Sequence, residues 1–161
     1  DLTITNASGT AHNITLDANN DADTTLNIAG AIAMDGTGTL HVAADNATTT
    51  ASINDLLMGG GNIDVNASND ATVSLDIARL NGDITNFTVA ADNSIIDVTT
   101  SNNGSDDILN ITNLTATASL GSEVAISLDG NTTFLTNGSD DADIIAFADD
   151  STLDLTITNA S

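Results

Sequence analysis

The side chains best suited to bind a ligand are carboxylates in two similar segments. Asn103-Gly104-Ser105-Asp106-Asp107 recurs as Asn137-Gly138-Ser139-Asp140-Asp141, which is followed by Asp143. Ca²⁺ takes about six to eight oxygen ligands from carboxylates, amides and backbone carbonyls, and these segments contain all three. Ordinary solvated turns use the same residues. The sequence thus predicts a candidate Ca²⁺ site and no other cofactor, and its ligands would be Asp106, Asp107, Asp140, Asp141 and Asp143.

Catalytic chemistry is not expected, because the chain has few groups that could serve as a base or a nucleophile. The basic side chains are Arg79, His12 and His41, and there is no cysteine. The glycine run at 59–61 lacks the lysine that follows in a phosphate-binding loop. A pair of Asp could act as the acid and base of a glycosidase, but no pair stands out among 23 acidic residues. We therefore predict that the protein is not an enzyme.

Asparagine could carry a modification instead. The sequence has eleven Asn-x-Ser/Thr sequons, many of which arise from composition alone in a chain rich in Asn, Ser and Thr. The sequon asparagines are Asn6, Asn13, Asn46, Asn66, Asn86, Asn103, Asn110, Asn113, Asn131, Asn137 and Asn159.

The charge balance restricts the partners. The net charge is −22, with Arg79 the one Lys or Arg against 23 acidic residues. Nucleic acid and anionic membrane surfaces are excluded, because both bind through Lys and Arg. No apolar stretch approaches the roughly 18 residues of a membrane span, so no membrane insertion is expected. The expected partners are cations, which could bundle neighbouring molecules laterally, and further copies of the chain itself.

An exact repeat indicates how copies could join. The octamer Asp1-Leu2-Thr3-Ile4-Thr5-Asn6-Ala7-Ser8 recurs without substitution at 154–161, a separation of 153 positions. We interpret residues 1–161 as a single segment in which 1–153 form one repeat unit and 154–161 begin the next copy. Such internal repetition is typical of stacked architectures.

Shorter repeats predict the local structure. Pairs of aliphatic residues separated by one position recur about every 12 residues, with runs of Asp, Asn, Gly and Ser between them. This pattern indicates short strands and regular turns. One series of aliphatic positions consists of Val42, Val65, Val89, Ile111, Phe134 and Ile157, and a second of Ile4, Ile28, Ile53, Ile77 and Val98. The residues 41–46 and 88–93 are similar at an offset of 47.

These spacings predict an all-β fold, a right-handed parallel β-helix (β-solenoid) of about 22–24 residues per coil. The 153-residue repeat would then hold six to seven coils. One inconsistency remains, because Ile4 and its equivalent Ile157 fall in different series, so a half-coil is misplaced between Val98 and Phe134. The alternative is a tandem β-sandwich of the immunoglobulin kind, which usually has an aromatic core residue and prolines in its loops. This chain has no Trp, Tyr or Pro.

Runs such as Thr25-Leu26-Asn27-Ile28-Ala29-Gly30 and Val73-Ser74-Leu75-Asp76-Ile77 resemble the β-strand repeats of giant bacterial surface proteins. That group includes filamentous-haemagglutinin-like adhesins and autotransporter passenger domains. The resemblance is compositional and carries no functional residue across. It implies a structural repeat of an extracellular or cell-surface fibre, in which copies stack end to end into a protease-resistant acidic rod. The alternative function is a Ca²⁺-dependent module that binds glycans or a partner cell.

Overall fold

The computed structural model describes residues 2–4, 10–101, 108–129, 131–134 and 143–158. These residues form thirteen strands and no helix. The strands are β1 (Leu2–Ile4), β2 (Thr10–Asn19), β3 (Asp23–Asp45), β4 (Thr48–Gly59), β5 (Asn62–Ser68), β6 (Thr72–Ile77), β7 (Leu80–Asp92), β8 (Ile95–Ser101), β9 (Ile108–Ser119), β10 (Glu123–Asp129), β11 (Asn131–Phe134), β12 (Asp143–Asp149) and β13 (Thr152–Ile157).

All strand pairings are parallel, and each coil adds one run of strand to each of three faces. Face A consists of 2–4, 23–28, 48–53, 72–77, 95–101, 123–129 and 152–157. Face B consists of 10–11, 31–34, 55–59, 80–84, 108–111 and 131–134. Face C consists of 13–19, 39–45, 62–68, 86–92, 113–119 and 143–149.

The chain is therefore a parallel β-solenoid, as its aliphatic spacing predicts. A sandwich of antiparallel strands is excluded by the parallel pairings. The right-handed sense of the coil stays a prediction.

The length of each coil follows from one inward-facing column of face A. Its members are Leu2, Leu26, Ala51, Leu75, Val98, Ile126 and Leu155. The steps along it are 24, 25, 24, 23, 28 and 29 residues. The pairings from Asp23 to Thr152 span five coils, and the pairing of β1 with β3 adds a sixth. The 153-residue repeat thus corresponds to six coils, the lower end of the predicted range.

The register corrects both predicted series. Val42, Val65 and Val89 share a column of face C, but Val89 pairs with Ala116 and not with Ile111. Ile111 and Phe134 lie on face B, and Ile157 lies on face A. The second series holds from Ile4 to Ile77, whose next partner is Thr100 and not Val98.

The second series is wrong by two positions within β8, where Val98 precedes Thr100. The error in the first series has a different physical reason, a longer connection after Thr100. Nine positions separate Thr100 from Leu109, whereas five separate the equivalent Ile77 and Gly82. After this connection, a count that assumes the same number of residues in every coil therefore reaches a residue on a different face. With the correct register Ile4 and Ile157 fall in one column, and the apparent half-coil error disappears.

The core is narrow, because alternate side chains of every strand point into it and meet like side chains from the coils on either side. Face C shows this most clearly. One buried column consists of Leu40, Ile63, Phe87 and Leu114, and another of Ala18, Ala44, Ala67, Ala91 and Ala118. The alanine column lies beside the turn that leads from face C to face A, where little space remains for a side chain.

These turns, which we name the C–A corners, have a period of two coils. They contain three and two residues in alternation: 20–22, 46–47, 69–71, 93–94, 120–122 and 150–151. Each has at least one residue with positive φ, most often Asn or Asp, which tolerate this backbone conformation better than other residues with a Cβ. The alternation explains the similarity of 41–46 to 88–93, because an offset of 47 residues is two coils.

The register predicts that the same substitution lowers stability at one alanine and has little effect at its neighbour. Ala91→Leu adds three carbons to a buried column and should lower the free energy of unfolding by about 1–3 kcal/mol through overpacking. Ala90→Leu places the same side chain on the outer surface, where the change should stay within about 0.5 kcal/mol. Urea denaturation followed by circular dichroism measures both. The reverse order of effects would show that the strand register is wrong by one residue.

Candidate functional site

The predicted calcium ligands lie where the coils are longest. Asp106, Asp107, Asp140 and Asp141 are outside the described residues, and Asp143 is the first residue of β12, opposite Asn113. The first segment falls in the long connection between Thr100 and Leu109. The second falls between Thr132 and Ile144, which are twelve positions apart, whereas the equivalent Leu109 and Leu114 are five apart.

Within the described part of the chain, no group of three or more His, Asp or Glu side chains could hold a metal ion. The calcium site therefore stays a prediction that rests on the sequence.

The sequon asparagines in the described strands hold coils together. Asn6, Asn103, Asn137 and Asn159 are outside the described residues, and Asn131 pairs with Ile108 through its backbone. Four of the others donate from Nδ2 to the preceding coil: Asn46 to Asp21, Asn86 to Asn62, Asn110 to Asp83 and Asn113 to Asn86. Asn66 donates to Asp64 on its own strand, and Asn13 accepts from the backbone N–H of Thr39.

All three basic side chains pair with a carboxylate about one coil away. Nδ1 of His12 lies 2.9 Å from Asp35 Oδ2, and Nδ1 of His41 lies 2.9 Å from Asp64 Oδ2. The Arg79 guanidinium is 3.3 Å from the Asp55 carboxylate. Because these separations are 23 or 24 residues, each pair joins neighbouring coils. These groups thus act as links between coils.

The His12–Asp35 pair changes the pKa of its carboxyl. The hydrogen bond from His12, followed by that from the Thr37 backbone N–H, lowers the pKa of Asp35 below its usual value. The ionised form of Asp35 is therefore favoured by His12 on the preceding coil and by Thr37 on the same strand.

The carboxylates follow a rule that concerns the residues they face on neighbouring coils. In every register pair of the described strands, an Asp or Glu on one coil faces a neutral residue or a histidine on the next coil. One column of face C alternates Asp45, Ser68, Asp92, Ser119 and Asp149. At the C–A corners, Asn46 donates to Asp21 and Asn93 donates to Asp70. Carboxylates that are one strand spacing apart would repel each other, and this arrangement prevents such contacts.

Shallow grooves lie between these columns. One groove on face B has a volume of about 320 Å³, and the Asp55–Arg79 pair lies in it beside small apolar side chains. Two grooves of about 240 Å³ lie along the C–A corners. In the face B groove the single cation is already neutralised by its carboxylate.

No protein-family model, no curated protein and no solved structure matches this chain. The resemblance to haemagglutinin-like adhesins and autotransporter passengers therefore stays a prediction. Among the residues described, no helix is long and apolar enough to cross a membrane.

Reasoning from the sequence missed the contacts between coils. Asn62, Asn86 and Asn113 form a ladder in which each amide donates to the one before it. A search for polar residues at separations of 23 to 27 positions would have found this ladder and the three ion pairs. The aliphatic residues that reveal the coil period contain no trace of these polar contacts.

The rule for carboxylates predicts the effect of an added charge. Ser68→Asp would place a third carboxylate between Asp45 and Asp92, and it would remove the hydrogen bond from Ser68 to Asp45. Thr115→Asp is the control, because its column neighbours are Thr88 and Ile145.

Two repulsions of roughly 1 kcal/mol each should make Ser68→Asp less stable than Thr115→Asp by about 1–2 kcal/mol at low salt. The difference should shrink as NaCl screens the charges. Urea midpoints measured at both ionic strengths provide the comparison. Equal stability of the two variants at low salt would contradict the rule.

Proposed function

We propose that this chain is a rigid structural segment of an extracellular fibre or giant adhesin. One observation carries the proposal: the described strands form parallel ladders on three faces, and each coil inside the stack is hydrogen-bonded to the coil before it and the coil after it. Such a structure extends in one direction only. At about 4.8 Å per coil, six coils correspond to a rise of roughly 29 Å per repeat.

The surface suits a spacer. A net charge of −22 keeps rods soluble and apart, since like charges repel. Bundling of rods would then need cations to offset this charge, and the calcium segments are our candidates for binding them.

Resistance to proteases is the property that an extracellular rod needs most. The one trypsin site is the Arg79–Leu80 bond. The Arg79 carbonyl accepts a hydrogen bond from the Leu56 N–H, and the Leu80 side chain is buried. A protease must bind several residues in extended form, so cleavage requires local unfolding of the coil.

We expect the native chain to survive trypsin at concentrations that cut the urea-unfolded chain into two fragments. Chymotrypsin supplies an internal comparison. Phe87 lies in β7, between β5 and β9, whereas Phe147 lies in β12, for which β9 is the one partner among the described strands. Cleavage after Phe147 should therefore precede cleavage after Phe87, as fragment masses would show. Rapid trypsin cleavage of the native chain would count against a protective rod.

A second experiment separates a specific calcium site from diffuse charge screening. In one variant Asp106 and Asp107 become Asn, and in a charge-matched control Asp97 and Asp154 on face A become Asn. We expect Ca²⁺ to raise the thermal midpoint of the native chain and of the control, but not of the first variant. If Ca²⁺ raises all three midpoints equally, Asp106 and Asp107 bind no specific Ca²⁺ ion, and the remaining candidate ligands are Asp140, Asp141 and Asp143.

A further inference from the structure

The two octamers occupy the same column of face A but use opposite edges. β1 pairs with β3 on the following coil, whereas β13 pairs with β10 on the preceding coil. No described strand pairs with the remaining edge of either one. Because Leu155-Thr156-Ile157 of β13 repeats the sequence of β1, the open edge of β13 presents the same three residues that pair with β3 within the chain.

The end of the stack formed by β12 is apolar and uncovered. The inward-facing side chain of Ile144 is 49% exposed, and the side chains of Ile145 and Phe147, which continue the outward columns of Thr115 and Thr117, are 51% and 59% exposed. By register Ile144 continues the column of Leu114, and Ala148 continues that of Ala118. Inside the stack both columns are buried, so these residues lack the cover of a further coil. A sheet edge with exposed apolar side chains is a site for pairing with another strand.

The opposite end of the stack supplies a matching coil. If Leu155 takes the place of Leu2 in a second copy, β12 meets β2 of that copy. Ile144 then faces Ile14, and Ala148 faces Ala18, so the inward columns continue. Asp149 faces Asn19, and Thr152 faces Asp23, so no carboxylate faces another across the joint. The two-residue corner at 150–151 is followed by the three-residue corner at 20–22, which preserves the alternation.

We propose that a second copy of this chain docks on the end formed by β12 and β13, with its β2 pairing to β12 and its β3 pairing to β13. Only one octamer fits at that position, so β13 displaces the β1 of the incoming copy. The inference rests on the proposed function and adds the interface through which copies join: exchange of identical strands.

The strength of the end-to-end contact and the rate at which it forms depend on different steps. The pairing of β1 with β3, which covers three residues in the described strands, is replaced by a six-residue pairing of β13 with the same β3, so face A gains the pairs between 152–154 and 23–25. A further gain comes from face C, where Ile144, Ala146 and Ala148 become covered. The incoming β1 must detach first, which makes joining slow. In a covalent array of repeats one octamer serves both copies, and this barrier is absent.

Identical substitutions in the two octamers of the full chain should have opposite effects. Leu2→Asp with Ile4→Asp weakens β1 and should speed end-to-end assembly several-fold. Leu155→Asp with Ile157→Asp weakens β13 and should abolish assembly. Analytical ultracentrifugation at moderate salt measures the rate, and electron microscopy should show particle lengths that increase in steps of roughly 29 Å. Circular dichroism and trypsin resistance establish that both variants remain folded.

A cross-link tests the register within the full chain, which has no cysteine of its own. Thr156 of one copy should lie opposite Asn27 of the next, as Thr3 does within the chain. Neighbouring strands about 4.8 Å apart suit the Cα separation of a disulfide. Within one chain Asn27 and Thr156 are five coils apart, roughly 24 Å, so no intramolecular bond can form.

The Asn27→Cys/Thr156→Cys chain should therefore form a ladder of disulfide-linked multimers on oxidation. The Asn27→Cys/Thr152→Cys control should not, because its two thiols would be offset by about 13 Å along the strands. Free octapeptide of sequence Asp-Leu-Thr-Ile-Thr-Asn-Ala-Ser should reduce the ladder, and a scrambled peptide should leave it unchanged.

Three results would overturn the inference: no ladder from the first pair, equal ladders from both pairs, or the same assembly rate for the two octamer variants. The proposed rod function would survive any of them, because protease resistance is measured on the single chain. Conversely, a protease-sensitive chain that still exchanged strands would overturn the function and leave the interface intact.

Discussion

The parallel backbone ladder between successive coils is the constraint on which the rest of this structure depends. A single coil has almost no contacts of its own and buries few side chains, so its backbone N–H and C=O groups must find partners on the next coil. Once that pairing is in register, like side chains stack by geometry. The alanine column at Ala44, Ala67 and Ala91 and the asparagine ladder at Asn62, Asn86 and Asn113 are two results of the same constraint, one inside and one outside.

Because of this constraint, the many acidic residues must be placed so that they do not face one another on neighbouring coils. Strands lie about 4.8 Å apart, so a column of carboxylates would repeat its repulsion at every coil. The chain avoids this by setting Ser, Thr, Asn, Ala, Gly or His opposite each Asp in the described register pairs. Several neutral partners also donate hydrogen bonds, as Ser68 and Asn69 do to Asp45. The remaining charge is spread over the outer surface, where solvent screens it.

The sequence alone was sufficient to predict the β-solenoid, because a period near 24 residues reports the coil length directly. Val42, Val65 and Val89 are in register for that reason. The prediction failed after Val89, where a longer connection moved the expected position onto another face. Periodicity cannot detect an insertion when apolar residues recur about every 12 positions, since a neighbouring strand always supplies a match. A prediction of the pairs His12–Asp35 and His41–Asp64 would have required the strand register as well as the coil period.

There is a physical reason for an even number of coils between the two octamers. The corners and several acidic columns have a period of two coils, as in the alternation of Asp45, Ser68, Asp92, Ser119 and Asp149. A repeat with an odd number of coils would invert this phase at each joint and bring two carboxylates or two corners of the same length together. Six coils, counted from Leu2 to Leu155, return the column to its starting phase. An even number of coils therefore allows identical copies to follow one another without a special junction. In the sequence, this even number corresponds to the separation of 153 positions between the two octamers.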